Sequence, residues 1–294
     1  MFKTVIKKVG KKLNIKKVFA GILTMGILSG CVTSKPMTYM QDHSEAYNIA
    51  HAAGLYTDIN DSYVPAEDID SVTKNMLDAG FVIGGYGSPQ LGMTNWQTAG
   101  VNLLSVMLEP DSHGARNSLM AWMPINLANS PADAQKVLIS HLKKSIELVL
   151  EGIGVKYENI YEKNGKLSIY FIKEDWNCPE YSHGVTKLSD LCEISVETYK
   201  PYKGVVPSFI GGVEEERYIF SPEDGRDYHN LNLVISKKSK VPQELIYTKI
   251  SENLNDWVYL YLAPKKVRKA NGETINFPYI LNQGKAKLFV TPKL

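Results

Sequence analysis

The chain has 294 residues, with 33 Lys and Arg against 31 Asp and Glu and a formal net charge of +2. Seven of the cations, all lysines, lie in the first thirty residues, so the remaining 264 residues carry 26 basic against 31 acidic side chains. This balance of −5 argues against a nucleic-acid-binding protein, which needs a basic surface. The length allows one large domain or two small ones.

The first thirty residues are typical of a bacterial export signal. Seven lysines and no acidic residue precede Val18 to Leu28, an apolar stretch without charge. The stretch is shorter than a membrane-spanning helix, which needs about 20 residues. It fits the apolar core of a signal peptide, whose usual length is about 7–15 residues.

The residues Leu28-Ser29-Gly30-Cys31 follow this stretch and resemble the lipobox of bacterial lipoproteins. In that family the cysteine thiol receives a diacylglycerol, a peptidase cuts before the cysteine, and the new amine is often acylated as well. The resemblance implies that acylated Cys31 holds the protein on membrane lipid. Two or three acyl chains make such attachment lasting, because each buried CH₂ adds about 0.8 kcal/mol. An ordinary secretory signal, or an uncleaved anchor, is the alternative.

The residue after the cysteine is Val32, whereas an aspartate there tends to retain Gram-negative lipoproteins in the inner membrane. The resemblance therefore implies a lipid anchor in the outer membrane and a periplasmic body, or the cell membrane if the host is Gram-positive. We expect a signal peptide over residues 1–30, a tether over 31–38 and an α+β body over 39–294. A division of the body into two lobes near residue 129 stays open.

The first part of the body is predicted to be helical. The apolar spacing predicts helices over 39–53, 65–79 and 94–108, each followed by a glycine or proline. A glycine-rich run at 80–92 matches neither the dinucleotide-binding nor the P-loop pattern, so we interpret it as a loop or close backbone packing. The apolar segment from Ser118 to Ile125 predicts a buried strand.

The second part is predicted to be mostly strand. Ser130 and Pro131 have the N-cap and N1 chemistry that opens a helix, which continues to about Glu151. Asn164-Gly165 predicts a type I′ hairpin between strands at 155–161 and 167–172. Further strands are expected at 193–199, 217–220, 231–236, 257–262 and 287–290, with a helix at 242–255 and a turn at Asn271-Gly272. This order predicts an α+β fold, with N-terminal helices followed by a largely antiparallel sheet and two packed helices.

Two cysteines remain once Cys31 is assigned to lipid. Cys178 and Cys192 form an even pair in an exported protein, and the turn-rich segment between them has little apolar content. We predict a disulfide between them, because export places the pair in an oxidising compartment. The alternative is a metal site with His183, but the spacing fits no standard zinc pattern.

No sequence motif indicates a catalytic, cofactor-binding or metal-binding site. The six histidines are well separated, and Asp111-Ser112-His113 has triad residue types without triad spacing. Acidic pairs such as Glu174-Asp175 and Glu223-Asp224 adjoin turn residues and are interpreted as solvated. The 17 tyrosines are a weak indication of aromatic binding surfaces.

The sequence therefore favours a membrane-anchored envelope lipoprotein with a binding or scaffold role and an envelope protein as its partner. Analogy with other lipoproteins suggests that this role is within a multi-protein assembly of the envelope. The main alternative is a lipid-anchored hydrolase acting on an envelope polymer. A substrate-binding lipoprotein for import is a third hypothesis, although the alternating βα units of the usual two-lobed fold are missing.

Overall fold

The computed structural model describes residues 37–55, 59–64, 116–181, 190–221, 229–236, 238–268 and 274–292. Within these ranges the predicted α+β fold is confirmed, with mainly antiparallel strands. Several predictions lie outside the described residues: the signal and Cys31, the helices at 65–79 and 94–108, the glycine-rich run at 80–92, and the Asn271-Gly272 turn. The described residues belong to one compact unit.

Four helices occur in the described ranges: α1 (Glu45–Ala52), α2 (Pro131–Gly152), α3 (Ser208–Gly211) and α4 (Gln243–Glu252). Helix α2 begins where the sequence predicts, because the Ser130 side chain accepts a hydrogen bond from the backbone N–H of Asp133 at 3.2 Å. Helix α1 begins later than predicted, because Ser44 is its N-cap and accepts from the Tyr47 N–H at 3.0 Å.

The strands of the described ranges form three sheets. In chain order they are β1 (Ser62–Val64), β2 (Ser118–Pro124), β3 (Lys156–Lys163), β4 (Lys166–Ile172), β5 (Cys192–Glu197), β6 (Tyr202–Val206), β7 (Glu215–Phe220), β8 (Asn230–Val234), β9 (Val258–Arg268), β10 (Thr274–Asn282), β11 (Lys285–Leu288) and β12 (Val290–Pro292). The six-stranded sheet has the order β11-β10-β9-β2-β7-β6, and the four-stranded sheet has the order β3-β4-β5-β8. Strand β1 pairs with β12 in parallel. Strand β6 therefore forms one edge of the six-stranded sheet.

The predicted hairpin joins β3 and β4. Asn164 and Gly165 have φ angles of 55° and 79°, the positive values that a type I′ turn requires. A second two-residue turn, Gln283-Gly284, joins β10 and β11 with φ angles of 48° and 72°. The sequence analysis missed this second turn together with strands β1, β6 and β10 and the short helix α3.

The six-stranded sheet is covered on both faces. Leu119 and Met123 of β2 face the larger hydrophobic cluster, which also contains residues of α2, α4 and the four-stranded sheet. Met120 and Trp122 face the opposite way and pack in a second cluster with Ile49 of α1. Because both faces of β2 are buried, its sequence is continuously apolar rather than alternating.

Candidate functional site

The four-stranded sheet has one buried face and one open face. Leu167, Ile169 and Phe171 of β4 point into the larger cluster, where α2 packs against the sheet. The intervening residues Ser168, Tyr170 and Ile172 point the other way and are partly exposed. Successive side chains of a strand alternate between the two faces, so the same alternation extends across β3, β5 and β8. We call the partly exposed side of these four strands the open face.

The strand register brings three side chains into one row at the centre of the open face. Tyr170 lies opposite Glu158 of β3 and opposite Glu193 of β5. Neighbouring strands are about 4.8 Å apart, which places the two glutamates about 10 Å from each other with the tyrosine between them. We call these three residues the Glu–Tyr–Glu row.

A β-bulge is responsible for the first member of this row. Near the hairpin turn, the pairs Tyr161–Ser168 and Lys163–Lys166 follow the register that the turn sets. Farther from the turn, between Tyr161 and Asn159, the pairing of β3 with β4 shifts by one residue. A shift of one residue transfers every following side chain to the other face. Without the bulge, Glu158 would face the core, so the bulge is what brings it to the open face.

The tyrosine of the row is held neutral by its surroundings. Partial burial raises the pKa of Tyr170 above its usual value of 10.0, and the nearby Glu193 carboxylate raises it further. The Tyr170 hydroxyl donates a hydrogen bond to Glu193, since the carboxylate can only accept. At neutral pH the row therefore carries two negative charges and one uncharged aromatic ring.

The rest of the open face is polar and has more balanced charge. Tyr161 is 45% exposed and lies in the next row. Beyond it, Lys166 forms an ion pair with Glu197, which also accepts a hydrogen bond from the Tyr199 hydroxyl at 3.0 Å. Within the described segments, no comparable ion pair joins a cation to either glutamate of the Glu–Tyr–Glu row.

The open face continues into a cleft of about 620 Å³. Ile172 belongs both to the open face and to the lining of this cleft. Among the described lining residues, the charged groups are three carboxylates and one lysine: Glu174, Glu180, Asp190 and Lys238. The cleft is therefore predominantly acidic, like the centre of the row beside it.

The predicted disulfide is confirmed at the wall of this cleft. Cys178 and Cys192 are bonded, with their Cα atoms 5.4 Å apart. The bond attaches the turn after β4 to the first residue of β5, and Cys178 also exchanges two backbone hydrogen bonds of 3.0 Å with Lys173. Disulfide formation occupies both sulfurs that the alternative metal site would need. His183, its third ligand, lies outside the described residues.

A second polar cluster lies at the start of α1. The buried Asp61 carboxylate is 3.0 Å from the His43 Nδ1 atom and accepts hydrogen bonds from the Ser44 backbone N–H at 3.0 Å and hydroxyl at 2.5 Å. The His43 side chain is 24% exposed, so solvent reaches the imidazole. The Ser44 hydroxyl donates to Asp61 and not to His43, so this acid–base pair lacks the serine contact of a catalytic triad.

The residues that the sequence analysis considered are dispersed. Glu174 and Asp175 are exposed, as predicted, and the acidic run at 214–216 is exposed as well. His141 is a partly exposed residue on α2, and its ring lies 6.0 Å from that of Trp257. His113 lies outside the described residues. His229 was not singled out by sequence, yet it is 2% exposed.

Further findings concern membrane-spanning helices, metal-ligating groups and similarity to known proteins. Among the described residues no helix is long and apolar enough to cross a membrane, and no group of three or more metal-ligating side chains converges. No protein-family model, curated protein or solved structure matches the chain significantly.

Proposed function

We propose that this protein is a lipid-anchored component of the bacterial envelope that binds a partner protein through the open face of its four-stranded sheet. The observation that carries the proposal is the Glu–Tyr–Glu row, which keeps two carboxylates and an aromatic ring together on a partly exposed surface. Tyrosine is enriched in protein interfaces because it offers a large apolar ring with a polar tip.

The anchor is supported by the resemblance of Leu28-Ser29-Gly30-Cys31 to a lipobox. Acylation of Cys31 would hold the body at a membrane, and Val32 favours the outer membrane of a Gram-negative host with the body in the periplasm. In a Gram-positive host the same anchor would lie in the cell membrane. Such an anchor suits a scaffold protein, since it concentrates the open face at one surface.

The anchor is tested by Cys31→Ala, which removes the thiol that accepts the diacylglycerol. We expect the wild-type protein to incorporate radioactive palmitate and the variant to incorporate none, because no thioether can form. The Cys178→Ser/Cys192→Ser double variant is the control and should be labelled like wild type. Undiminished labelling of the Cys31 variant would contradict the proposal.

The binding role is tested by a photo-crosslinking amino acid placed on the open face at Tyr161, which is 45% exposed. The matched control is Leu148 of α2, which is 46% exposed and belongs to the helix that packs on the other side of the sheet. We expect a discrete crosslinked partner in envelope fractions from position 161 and none from position 148. Equal crosslinking from both positions, or none from 161, would refute a role for the open face.

A second function, hydrolysis of an envelope polymer, is favoured by one observation. The His43 imidazole is accessible and is positioned by the buried Asp61, as a general base requires. If this pair is catalytic, His43→Gln abolishes release of soluble fragments from purified cell wall while crosslinking at Tyr161 persists. Equal fragment release by wild type and variant would eliminate this alternative.

A further inference from the structure

We propose that the open face binds a basic, extended segment of the partner protein, with a Lys or Arg side chain seated over Tyr170 between Glu158 and Glu193. This inference rests on the proposed function, and it adds the chemistry of the partner. It is carried by the arrangement of charge on the open face and in the adjoining cleft.

The Glu–Tyr–Glu row has the geometry of a cation-binding site. A cation is attracted to the face of an aromatic ring when it lies within about 6 Å of the ring centre. The backbones of Glu158 and Glu193 lie about 5 Å from that of Tyr170 on the two neighbouring strands, so a cation over the ring has a flexible acidic side chain on either side of it. A guanidinium or ammonium group placed there would be attracted by the ring and by both carboxylates.

A bare metal ion fits this row poorly. Carboxylate oxygens bind Ca²⁺ at about 2.3–2.6 Å and Mg²⁺ at about 2.0–2.1 Å. The backbones of Glu158 and Glu193 are about 10 Å apart with the Tyr170 side chain between them. A Lys or Arg side chain does not need close ligation by both carboxylates, because its charged head can lie over the Tyr170 ring while its apolar stem packs along the sheet.

The distribution of charge around the Glu–Tyr–Glu row determines along which part of the open face a basic partner segment would lie. Among the described residues that line the cleft or stand on the adjoining end of the open face, five carboxylates outnumber two ammonium groups: Glu158, Glu174, Glu180, Asp190 and Glu193 against Lys156 and Lys238. At the other end of the open face, Lys163 and Lys166 outnumber Glu197. A basic segment is therefore attracted along the cleft side and repelled at the far end.

The cleft extends the surface available to such a segment. Its volume of about 620 Å³ lies within the range of ordinary ligand sites, about 300–1,000 Å³. Ile172 supplies an apolar contact where the open face enters the cleft. The Cys178–Cys192 bond holds one wall in place, so the segment would meet a preformed site.

The test uses two fluorescent octapeptides as probes, one of alternating Lys and Arg and one of alternating Glu and Asp. Binding to the full-length protein is measured by fluorescence anisotropy for wild type, for Glu158→Gln/Glu193→Gln, and for Glu214→Gln/Glu216→Gln as control. Both pairs remove two charges, but the control pair lies on an exposed segment at β7, outside the four-stranded sheet.

We expect the basic peptide to bind wild type and the acidic peptide not to bind. The Glu158/Glu193 variant should bind the basic peptide roughly tenfold more weakly, because two partly exposed charge pairs around one cation are lost. The control should change the affinity by less than about twofold. Equal weakening by both variants would reveal general charge attraction and overturn the proposal, as would no binding to wild type. Urea unfolding of each variant verifies that the fold is intact.

Crosslinking separates this inference from the proposed function. If position 161 still captures its partner undiminished in the Glu158→Gln/Glu193→Gln background, the open face binds a partner that is not recognised by these charges. The proposed function then stands and the inference is wrong. If position 161 captures nothing in the wild-type background, the proposed function itself fails.

Discussion

Acid should destabilise the protein through His229, which lies in the short connection to β8. Its side chain is 2% exposed, its Nδ1 atom accepts a hydrogen bond from the Tyr199 backbone N–H at 3.1 Å, and its ring contacts Phe220 edge-on. Burial lowers the pKa of His229 from its ordinary 6.5 to about 4. The cause is desolvation, which penalises the charged imidazolium in the folded protein but not in the unfolded chain.

The size of the effect follows from the two pKa values. The gap between 6.5 and about 4 corresponds to about 3 kcal/mol, at 1.36 kcal/mol per pH unit. The folded state binds this proton less readily than the unfolded state, so the stabilisation is complete above pH 6.5 and is lost as the pH falls from 6.5 toward 4. Between pH 7.5 and pH 5 the loss from His229 alone should be about 2 kcal/mol.

Urea unfolding at pH 7.5 and pH 5 measures this loss. His229→Gln keeps an acceptor for the Tyr199 N–H but removes the titrating group, so its free energy of unfolding should fall by about 2 kcal/mol less than that of wild type. Leu233→Ala, in the buried face of β8, is the control, since it lowers stability at both pH values and retains the full pH dependence. Identical pH dependence in wild type and His229→Gln would refute the reasoning.

Two further predictions concern the loops of the four-stranded sheet. Cys178→Ser/Cys192→Ser should lower the free energy of unfolding by about 3 kcal/mol, because it releases a loop closed over 14 residues. In urea titrations, a reducing agent should destabilise the wild-type protein by the same amount and leave the stability of the variant unchanged. Gly165→Ala should destabilise by about 1–3 kcal/mol, since φ is +79° and a Cβ would lie 2.2 Å from the Thr198 carbonyl oxygen. Gly152→Ala has open space and should be neutral or stabilising, so similar melting temperatures for both glycine variants would contradict the argument.

Local signals predicted the elements that local chemistry determines. The Ser130-Pro131 start of α2 and the Asn164-Gly165 turn depend on backbone preferences of the residues themselves, and both are present as expected. The apolar run of β2 also identified a buried strand, because burial on both faces removes the alternation that an exposed face would impose.

Strands that depend on distant partners were not predicted. Strand β6 is only five residues long and is interrupted by Gly204, so its pattern is too short to identify from sequence and the strand is defined by its pairing with β7. Strand β10 contains Pro278, where its register against β9 shifts. A proline within a strand pattern argues against a strand from sequence, although it is compatible with a bulge.

The candidate site was beyond sequence analysis for a specific geometric reason. The hairpin turn fixes a register in which Glu158 would pair with Phe171 and face the core. The bulge between Asn159 and Tyr161 places Glu158 opposite Tyr170 instead. The local sequence gives no sign of the extra residue that forms this bulge. The Glu–Tyr–Glu row can therefore be recognised only when the strand pairing is known.

Strand β6 at the edge of the six-stranded sheet has a consequence for how copies of the protein behave beside one another. The Trp122 N–H donates to the Trp257 carbonyl at 3.0 Å, so it points toward β9. In an antiparallel sheet the backbone N–H groups of successive residues point alternately to the two neighbouring strands. When this alternation is followed from β2 through β7 to β6, the N–H groups of Lys203 and Val205 point away from the sheet.

Proline residues at positions 201 and 207 flank these outward donors, and one of the donors belongs to Lys203, whose ammonium group lies 5.4 Å from the centre of the Tyr218 ring. Short length, flanking proline and a lysine are the features that keep an edge strand from accepting another strand. If the proposed lipid anchor gathers many copies on one surface, an open β6 edge would favour aggregation at that local concentration. Because β6 resists such pairing, the proposed crowding would not join the six-stranded sheets of adjacent molecules through this edge.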